Sequence, residues 1–431
     1  MNPGMDRMFA MCRGVDGATA LSMKKWIDSN YHFMVPEVDR PLRDLNLLPD
    51  FTSYIANIKR GIAALGAKAT PVVLGPVSMT RFVDFKGTTN HFEQMVFLEK
   101  LLPIYTELLA EIAALGVEEI QIHEPTLVFA ETRLTPLFKM AYTGSTSILP
   151  PSGQCKINMV SFFEDIGEEN YNWIMSTDRI DIVSLDFTRG NNMSLIKKCG
   201  FPATKILGAG IIDGRSIWKL MPSKVTNILK DIGVANIRIQ PSSSLQFNPW
   251  TLECETDLLN HTAGSVLSFA KQKILEVTAV ANNNESFLID AENKWSAYKM
   301  ALAADQSVAN RVAALTKADL ARSAQFSDRS KLQLQGLPIL PTTTIGSFPQ
   351  TKEIRSLRNQ FIRGKITKAE YEAQIDQQIS FMISIQEVSL SISSKYIQVM
   401  ASVSNKYLSI HIAGTRFGHS CSWRARAYGH G

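Results

Sequence analysis

Polar side chains suited to acid–base or anion-binding chemistry recur in this chain, each beside a short apolar run. Glu124 closes Ile120-Gln121-Ile122-His123, and Asp165 lies just past Ile157–Phe162. Asp186 falls at the end of Ile182–Phe187, with Arg189 after it. Asp213 and Arg215 follow Ile206–Ile212, and Ser242-Ser243-Ser244 follow Ile237–Gln240. If brought together, Glu124, Asp186 and Asp213 could serve as general acids and bases. Taken singly, Asp and Ser at strand ends are more often caps and turn formers. Their recurrence at equivalent places points to a shared mouth, but no spacing among them names a substrate.

Two other stretches carry potential chemistry. Met23 to His32 packs Trp26, Tyr31, His32, Lys24 and Lys25 into ten residues. It reads either as an anion site with an aromatic wall or as a loop with an aromatic anchor and solvated lysines. Leu340 to Thr351 reads LPTTTIGSFPQT. A short strand at Thr344-Ile345 ends there in Gly346-Ser347. Glycine admits close backbone approach to a ligand and serine offers a hydroxyl. A linker rich in turn residues is the plainer account.

The elements that would position these residues alternate. Phe51 to Gly66 is an amphipathic helix by the spacing of Tyr54, Ile55, Ile58, Ile62 and Leu65, with Gly66 as its cap. Thr70–Pro76 reads as a strand buried on both faces. Phe92 to Leu115 is helical, and a strand follows within Glu118–Val128. Ile157–Phe162, Ile182–Phe187, Ile206–Ile212 and Ile237–Gln240 continue the strands, and Ser216–Asp231 has helical spacing. Such alternation predicts a parallel sheet with right-handed crossovers, either doubly wound or a (β/α)8 barrel. No GxGxxG follows the first strand, which disfavours a dinucleotide fold. Ser268 to about Arg322 is helical and Ala-rich, broken at Asn282-Asn283-Asn284. Beyond Thr351 a helix pair is expected, the second opened by a Thr367–Glu370 capping box and running from Lys368 to about Val388.

The 431 residues exceed one ordinary domain and can bury a large core. A hydrophobic content of 45% with 20% charged residues is that of a soluble globular protein. Net charge is +5, with no long basic run interleaved with aromatics, so no nucleic-acid partner is expected. A mildly basic surface could still attract an anionic small substrate. The five cysteines, Cys12, Cys155, Cys199, Cys254 and Cys421, are widely spaced and form no CxxC, as in a reduced compartment. No apolar run is long enough to span a membrane and no signal-peptide pattern opens the chain. Cytoplasm is the expected location.

The string from Leu340 to Thr351, continued by Lys352-Glu353-Ile354-Arg355 and Gly364-Lys365-Ile366, resembles the opening of the catalytic barrel of cobalamin-independent methionine synthases. The likeness extends upstream to about Met11. It implies a TIM-barrel-type N-terminal domain, incomplete at about six strands, over residues 1–283. A helical linker over 284–339 and the beginning of a second barrel over 340–388 follow, then a tail, 389–431, outside the family pattern and expected to be poorly ordered. It also implies methyl transfer from 5-methyltetrahydropteroyltriglutamate to homocysteine, with Zn2+ and without cobalamin. By the same likeness Lys25 contacts the folate tail, and Ile345, Gly346 and Ser347 contact the amino-acid substrate. Lys25 would hold a tail carboxylate as a point charge.

The chain departs from the family pattern at both ends. The first barrel strands and a basic folate-contacting loop have no counterpart, and six strands leave two edges of unpaired backbone groups. In the family, zinc stabilises the homocysteine thiolate through His, two Cys and Glu of the C-terminal barrel. Those segments have no counterpart here, so the chain alone is expected to be inactive. His419 and Cys421 have a ligand-like spacing, but their neighbours do not match the family segment. His123 stands where the family usually has Asp. The rival expectation is a non-catalytic module that binds folate or pairs with a separately encoded catalytic barrel.

Overall fold

The computed structural model describes residues 3–39, 41–86, 91–129, 131–151, 153–333, 335 and 350–390. The residues singled out above at Ile345, Gly346, Ser347, His419 and Cys421, and the tail beyond 390, lie outside the described residues. The chain forms two compact units, Met1–Ala304 and Asp305–Gly431.

Among the described residues the first unit holds ten strands: β1 (Met23–Lys25), β2 (His32–Met34), β3 (Glu37–Val38), β4 (Val72–Leu74), β5 (Asp84–Phe85), β6 (Glu119–His123), β7 (Lys156–Val160), β8 (Ile182–Asp186), β9 (Ile206–Ile212) and β10 (Ile237–Pro241). Six of them make one parallel sheet in the order β10-β9-β8-β7-β6-β4. The sequence reading of six alternating units is borne out. Among the described residues no strand joins β4 to β10. β1 and β2 form a separate antiparallel hairpin, an element that neither sequence reading of Met23–His32 included.

Side-chain alternation gives the sheet two different faces. Ile120, Ile122, Ile157, Met159, Val183, Leu185, Leu207, Ala209 and Ile211 join the main core with the surrounding helices. Burying each of the larger ones stabilises the fold by roughly 1.5–3 kcal/mol. The other face is polar. Asn158 donates to Glu119 at 2.8 Å, Ser184 donates to Asn158 at 2.8 Å, and Arg238 pairs with Glu119 at 2.7 Å. Gly208 has no room for a side chain, since a Cβ there would lie 2.2 Å from the Ser184 hydroxyl.

The Glu119–Arg238 pair reports the curvature. β6 and β10 are separated by four strand spacings, ~19 Å along the sheet. A glutamate and an arginine do not bridge that on a flat sheet. The sheet is therefore curled into a barrel-like arc, with the pair as its chord. At the edge, the β4 carbonyls of Val72 and Leu74 each take a tyrosine hydroxyl, from Tyr54 at 2.6 Å and Tyr105 at 2.8 Å.

Helix Thr52–Leu65 ends as expected at Gly66, whose φ of 65° suits glycine and whose N–H donates to Ile62. The helix expected over Ser216–Asp231 instead runs Pro222–Ile232. Ile217 and Leu220 fit helical spacing, but Pro222 sets the first helical turn. The preceding segment is extended: Trp218 bridges Leu267, and Ile217 packs on the cluster of Leu252, Leu267 and Phe269. Helices Ala270–Ala281 and Glu285–Ala304 flank the Asn break. The second of these lies on the first unit, with Trp295 donating to the Leu220 carbonyl at 3.1 Å.

In the second unit, helices Lys352–Ile362 and Lys368–Leu390 pack through Leu357, Tyr371 and Ile375, with Phe361 stacked on Tyr371 at 4.8 Å. The capping box is present: the Glu370 N–H donates to the Thr367 hydroxyl, and the Thr367 N–H donates to the Glu370 carboxylate.

Candidate functional site

The polar residues at the strand ends do gather at the C-terminal end of the sheet, but most of them hold loops. Glu124 follows β6 and is fully buried. Its Oε1 accepts from the Val77 N–H at 3.1 Å and its Oε2 from the Ser78 N–H at 2.8 Å, while the Tyr142 hydroxyl donates at 2.6 Å. The carboxylate thus ties the first turn of the helix Pro76–Phe82, which follows β4, to the segment after β6. Gly75 makes room for it, since a Cβ there would lie 2.1 Å from the carboxyl carbon. Burial pushes the Glu124 carboxyl up to about 7 against the pull of these donors.

Asp186 is equally buried. One oxygen accepts from the Phe163 N–H at 3.0 Å, and the other from the Thr188 N–H and hydroxyl, both at 2.7 Å. Burial raises its pKa above the ordinary carboxylate value. Asp213 accepts from the N–H groups of Arg215 and Ser216, Asp165 from those of Gly167 and Asn191, and the Ser242 hydroxyl from that of Gly214. Glu124, Asp186 and Asp213 share no hydrogen bond with one another among the described residues. His123 faces Gln121 at 3.3 Å and lies edge-on to Phe162, and burial lowers its pKa to about 4. It is a neutral structural imidazole at ordinary pH.

The arginines behave differently. Arg189 follows β8 and Arg215 follows β9, and both reach the carboxylate of Asp28, at 3.4 and 3.0 Å. Arg215 also donates to the Asp28 carbonyl and lies 4.5 Å over the Phe163 ring. Asp28 sits in the turn of the β1–β2 hairpin that carries Lys25. Sequence reasoning noted both arginines and missed Asp28, which is 187 residues from Arg215.

Around this contact stands an aromatic group. Phe163 packs on Phe162 and Phe247, Tyr31 packs on Phe247, and the Tyr31 hydroxyl donates to the Gln246 carbonyl at 2.8 Å. The hairpin itself is anchored by Trp26 between Phe33 and Phe82. Lys25 is exposed on β1 and makes no ion pair among the described residues. The arrangement suits an anionic ligand with a flat group beside it. Among the described residues no three His, Cys, Asp or Glu side chains converge as metal ligands. Cys12, Cys155, Cys199 and Cys254 are unpaired. No helix among the described residues is long and apolar enough to cross a membrane.

Residues 1–236 match the family model described as cobalamin-independent synthase, N-terminal domain, and residues 340–392 match cobalamin-independent synthase, catalytic domain. The chain is 39% identical over 387 residues to a 5-methyltetrahydropteroyltriglutamate–homocysteine methyltransferase of Trichodesmium erythraeum (strain IMS101), covering 88% of this chain and 50% of that protein. To the protein of the same description in Synechococcus sp. (strain JA-2-3B'a(2-13)) it is 40% identical over 393 residues, again covering 50% of the relative and 89% of this chain. The chain therefore spans about half the length of the curated relatives it matches. A solved B12-independent methionine synthase from Shewanella sp. W3-18-1 in complex with selenomethionine is similar at a TM-score of 0.36 and 17% identity, over 51% of this chain and 65% of that one.

Proposed function

The chain belongs to the cobalamin-independent synthase family, and on that premise we propose that it serves methyl transfer from 5-methyltetrahydropteroyltriglutamate to homocysteine. The observation that carries this reading is the family match over residues 1–236, joined to the names of the relatives. Their being named as enzymes does not favour the non-catalytic module. The share of the work assigned to this first unit is to hold the folate tail.

Lys25 supplies the charge for that task. Its ammonium stands exposed on a hairpin anchored by aromatic packing, and a compact cation of this kind suits the carboxylates of a triglutamate tail. Ile345, Gly346 and Ser347 are assigned to the amino-acid substrate. The family resemblance implies zinc, which would hold the substrate thiol as a thiolate. The described residues do not supply a ligand set for it. His419 and Cys421 are assigned no role. A separate catalytic barrel is the partner this reading would accommodate, and cytoplasm is the compartment it implies.

Glu124, Asp186 and Asp213 are assigned structural roles, because backbone N–H groups occupy their carboxylates. The test is a titration of the purified chain with methyltetrahydropteroyltriglutamate, followed by calorimetry. Lys25→Ala is expected to weaken binding about tenfold, the size of one lost charge-assisted contact. Equal affinity of the two chains would remove Lys25 from the site.

A further inference from the structure

We propose that Arg189 and Arg215 form a carboxylate-binding fork at the mouth of the sheet, that Asp28 fills it when no ligand is bound, and that a carboxylate of the bound tail displaces Asp28. The proposal rests on the reading that the chain binds a polyglutamyl folate, and it adds a second cationic subsite to the one at Lys25.

Three observations carry it. First, the two guanidiniums come from separate loops, after β8 and after β9, and meet on a single carboxylate from a third segment. That carboxylate is 74% exposed while the Arg215 side chain is only 20% exposed. Arg215 is the sheltered member, Arg189 is 48% exposed, and the anionic side is held in water. Exposed ion pairs of this kind contribute little, so exchanging Asp28 for another carboxylate is nearly neutral apart from what the incoming molecule adds.

Second, Arg215 is preorganised by a chain of contacts that Asp28 does not need. The Asp186 carboxylate accepts from the Phe163 N–H, and the Phe163 ring lies under the Arg215 guanidinium. A guanidinium laid flat on a ring keeps its N–H edge free for a planar, two-oxygen partner.

Third, backbone strain concentrates here. Among the described residues, the non-glycine residues with positive φ are Ile27 at 50°, Phe163 at 84° and Asn283 at 48°. Asn283 sits at a helix break, where asparagine tolerates this conformation. Ile27 is β-branched and Phe163 bulky, and neither adopts it readily. Ile27 immediately precedes Asp28, and Phe163 lies under Arg215. Strain at both ends of one contact is characteristic of sites that are held ready or that switch. Ser29 keeps the hairpin turn in place by donating to the Trp26 carbonyl at 2.7 Å, so the hairpin survives loss of the Asp28 contact.

The experiment titrates the full chain and its Asp28→Asn, Arg215→Ala and Arg215→Lys variants with two probes. These are methyltetrahydropteroyltriglutamate and tri-γ-glutamate without the pterin. Thermal melts of each variant confirm that it is folded. Removing the internal competitor by Asp28→Asn is expected to tighten both probes about fivefold. Arg215→Ala is expected to weaken both about tenfold, and Arg215→Lys, which keeps the charge but loses the fork, to weaken them nearly as much. If the folate binds with the same affinity to the parent chain, Asp28→Asn and Arg215→Ala, the fork is a structural strap and the proposal is overturned while the folate reading stands. If tri-γ-glutamate binds through Arg215 and the folate does not bind at all, the fork stands and the folate reading fails. If neither probe binds any chain, both fail.

Discussion

Glu124 and Asp28 are carboxylates at the same end of one sheet, held in opposite ways. Glu124 is sealed from water and meets two backbone N–H groups and a tyrosine hydroxyl, with no cation paired to it among the described residues. Asp28 is mostly in water and meets two guanidiniums. Pairing with full opposite charges would suggest the tighter hold for Asp28. The opposite follows from solvation. An exposed pair competes with water and salt, whereas a buried acceptor has no substitute for the donors it meets. The buried carboxylate fixes architecture, and the exposed one is exchangeable.

That contrast can be broken or sharpened by experiment. The largest effect is expected from Glu124→Ala, which strands the Val77 and Ser78 N–H groups and the Tyr142 hydroxyl in a dry site. It should lower unfolding free energy by about 4 kcal/mol in urea melts. A loss below ~1 kcal/mol would show that the site rehydrates and that burial is not what distinguishes it.

A pH series probes the same corner. The Glu124 pKa is raised, so its stabilising share is complete below its ordinary value of 4.5 and is lost as pH rises through about 7. The His123 pKa is depressed, so its share is complete above 6.5 and is lost as pH falls through about 4. Between pH 4.5 and 6.5 these neighbours have opposing slopes. His123→Asn should leave the Glu124 slope uncompensated. Relative to the parent chain, the variant should lose on the order of 3 kcal/mol as pH rises from 4 to 6.5. A constant difference across that range would mean that His123 is better solvated than its burial implies.

The smallest effect is expected from Asp28→Asn, below ~1 kcal/mol in stability at moderate salt. A loss as large as that of Glu124→Ala would erase the distinction between the two carboxylates.

How far the sequence reveals these features follows from how local each one is. Each of β6 through β10 places apolar residues at alternate positions or in a short run bounded by turn residues, so these strands are visible within a residue or two of their bounds. Gly66 and the Thr367–Glu370 box are equally visible, because a cap is set by residues within one turn. The start of the helix at Pro222 is obscured by Ile217 and Leu220, which fall into helical spacing although Ile217 packs on a different cluster and Leu220 joins the main core from an extended segment. The β1–β2 hairpin is obscured because its strands are short and β1 is exposed throughout. The strand-end carboxylates are visible as a set, but not their duties, since an acid–base group and a backbone acceptor are the same residue type. Asp28 against Arg189 and Arg215 is invisible, because 161 and 187 residues separate the partners and no periodicity links them.

The Glu119–Arg238 chord bears on the order in which the arc is assembled. From β6 onward each strand of the sheet pairs with the next one in the sheet's chain order, across a crossover that carries a helix, so β6 to β10 can add one by one as the polypeptide is made. The chord is different, since it spans 119 residues and has no partner until β10 arrives. During synthesis the chord therefore closes only when Arg238 emerges, and until that point the Glu119 carboxylate has Asn158 but not its cation.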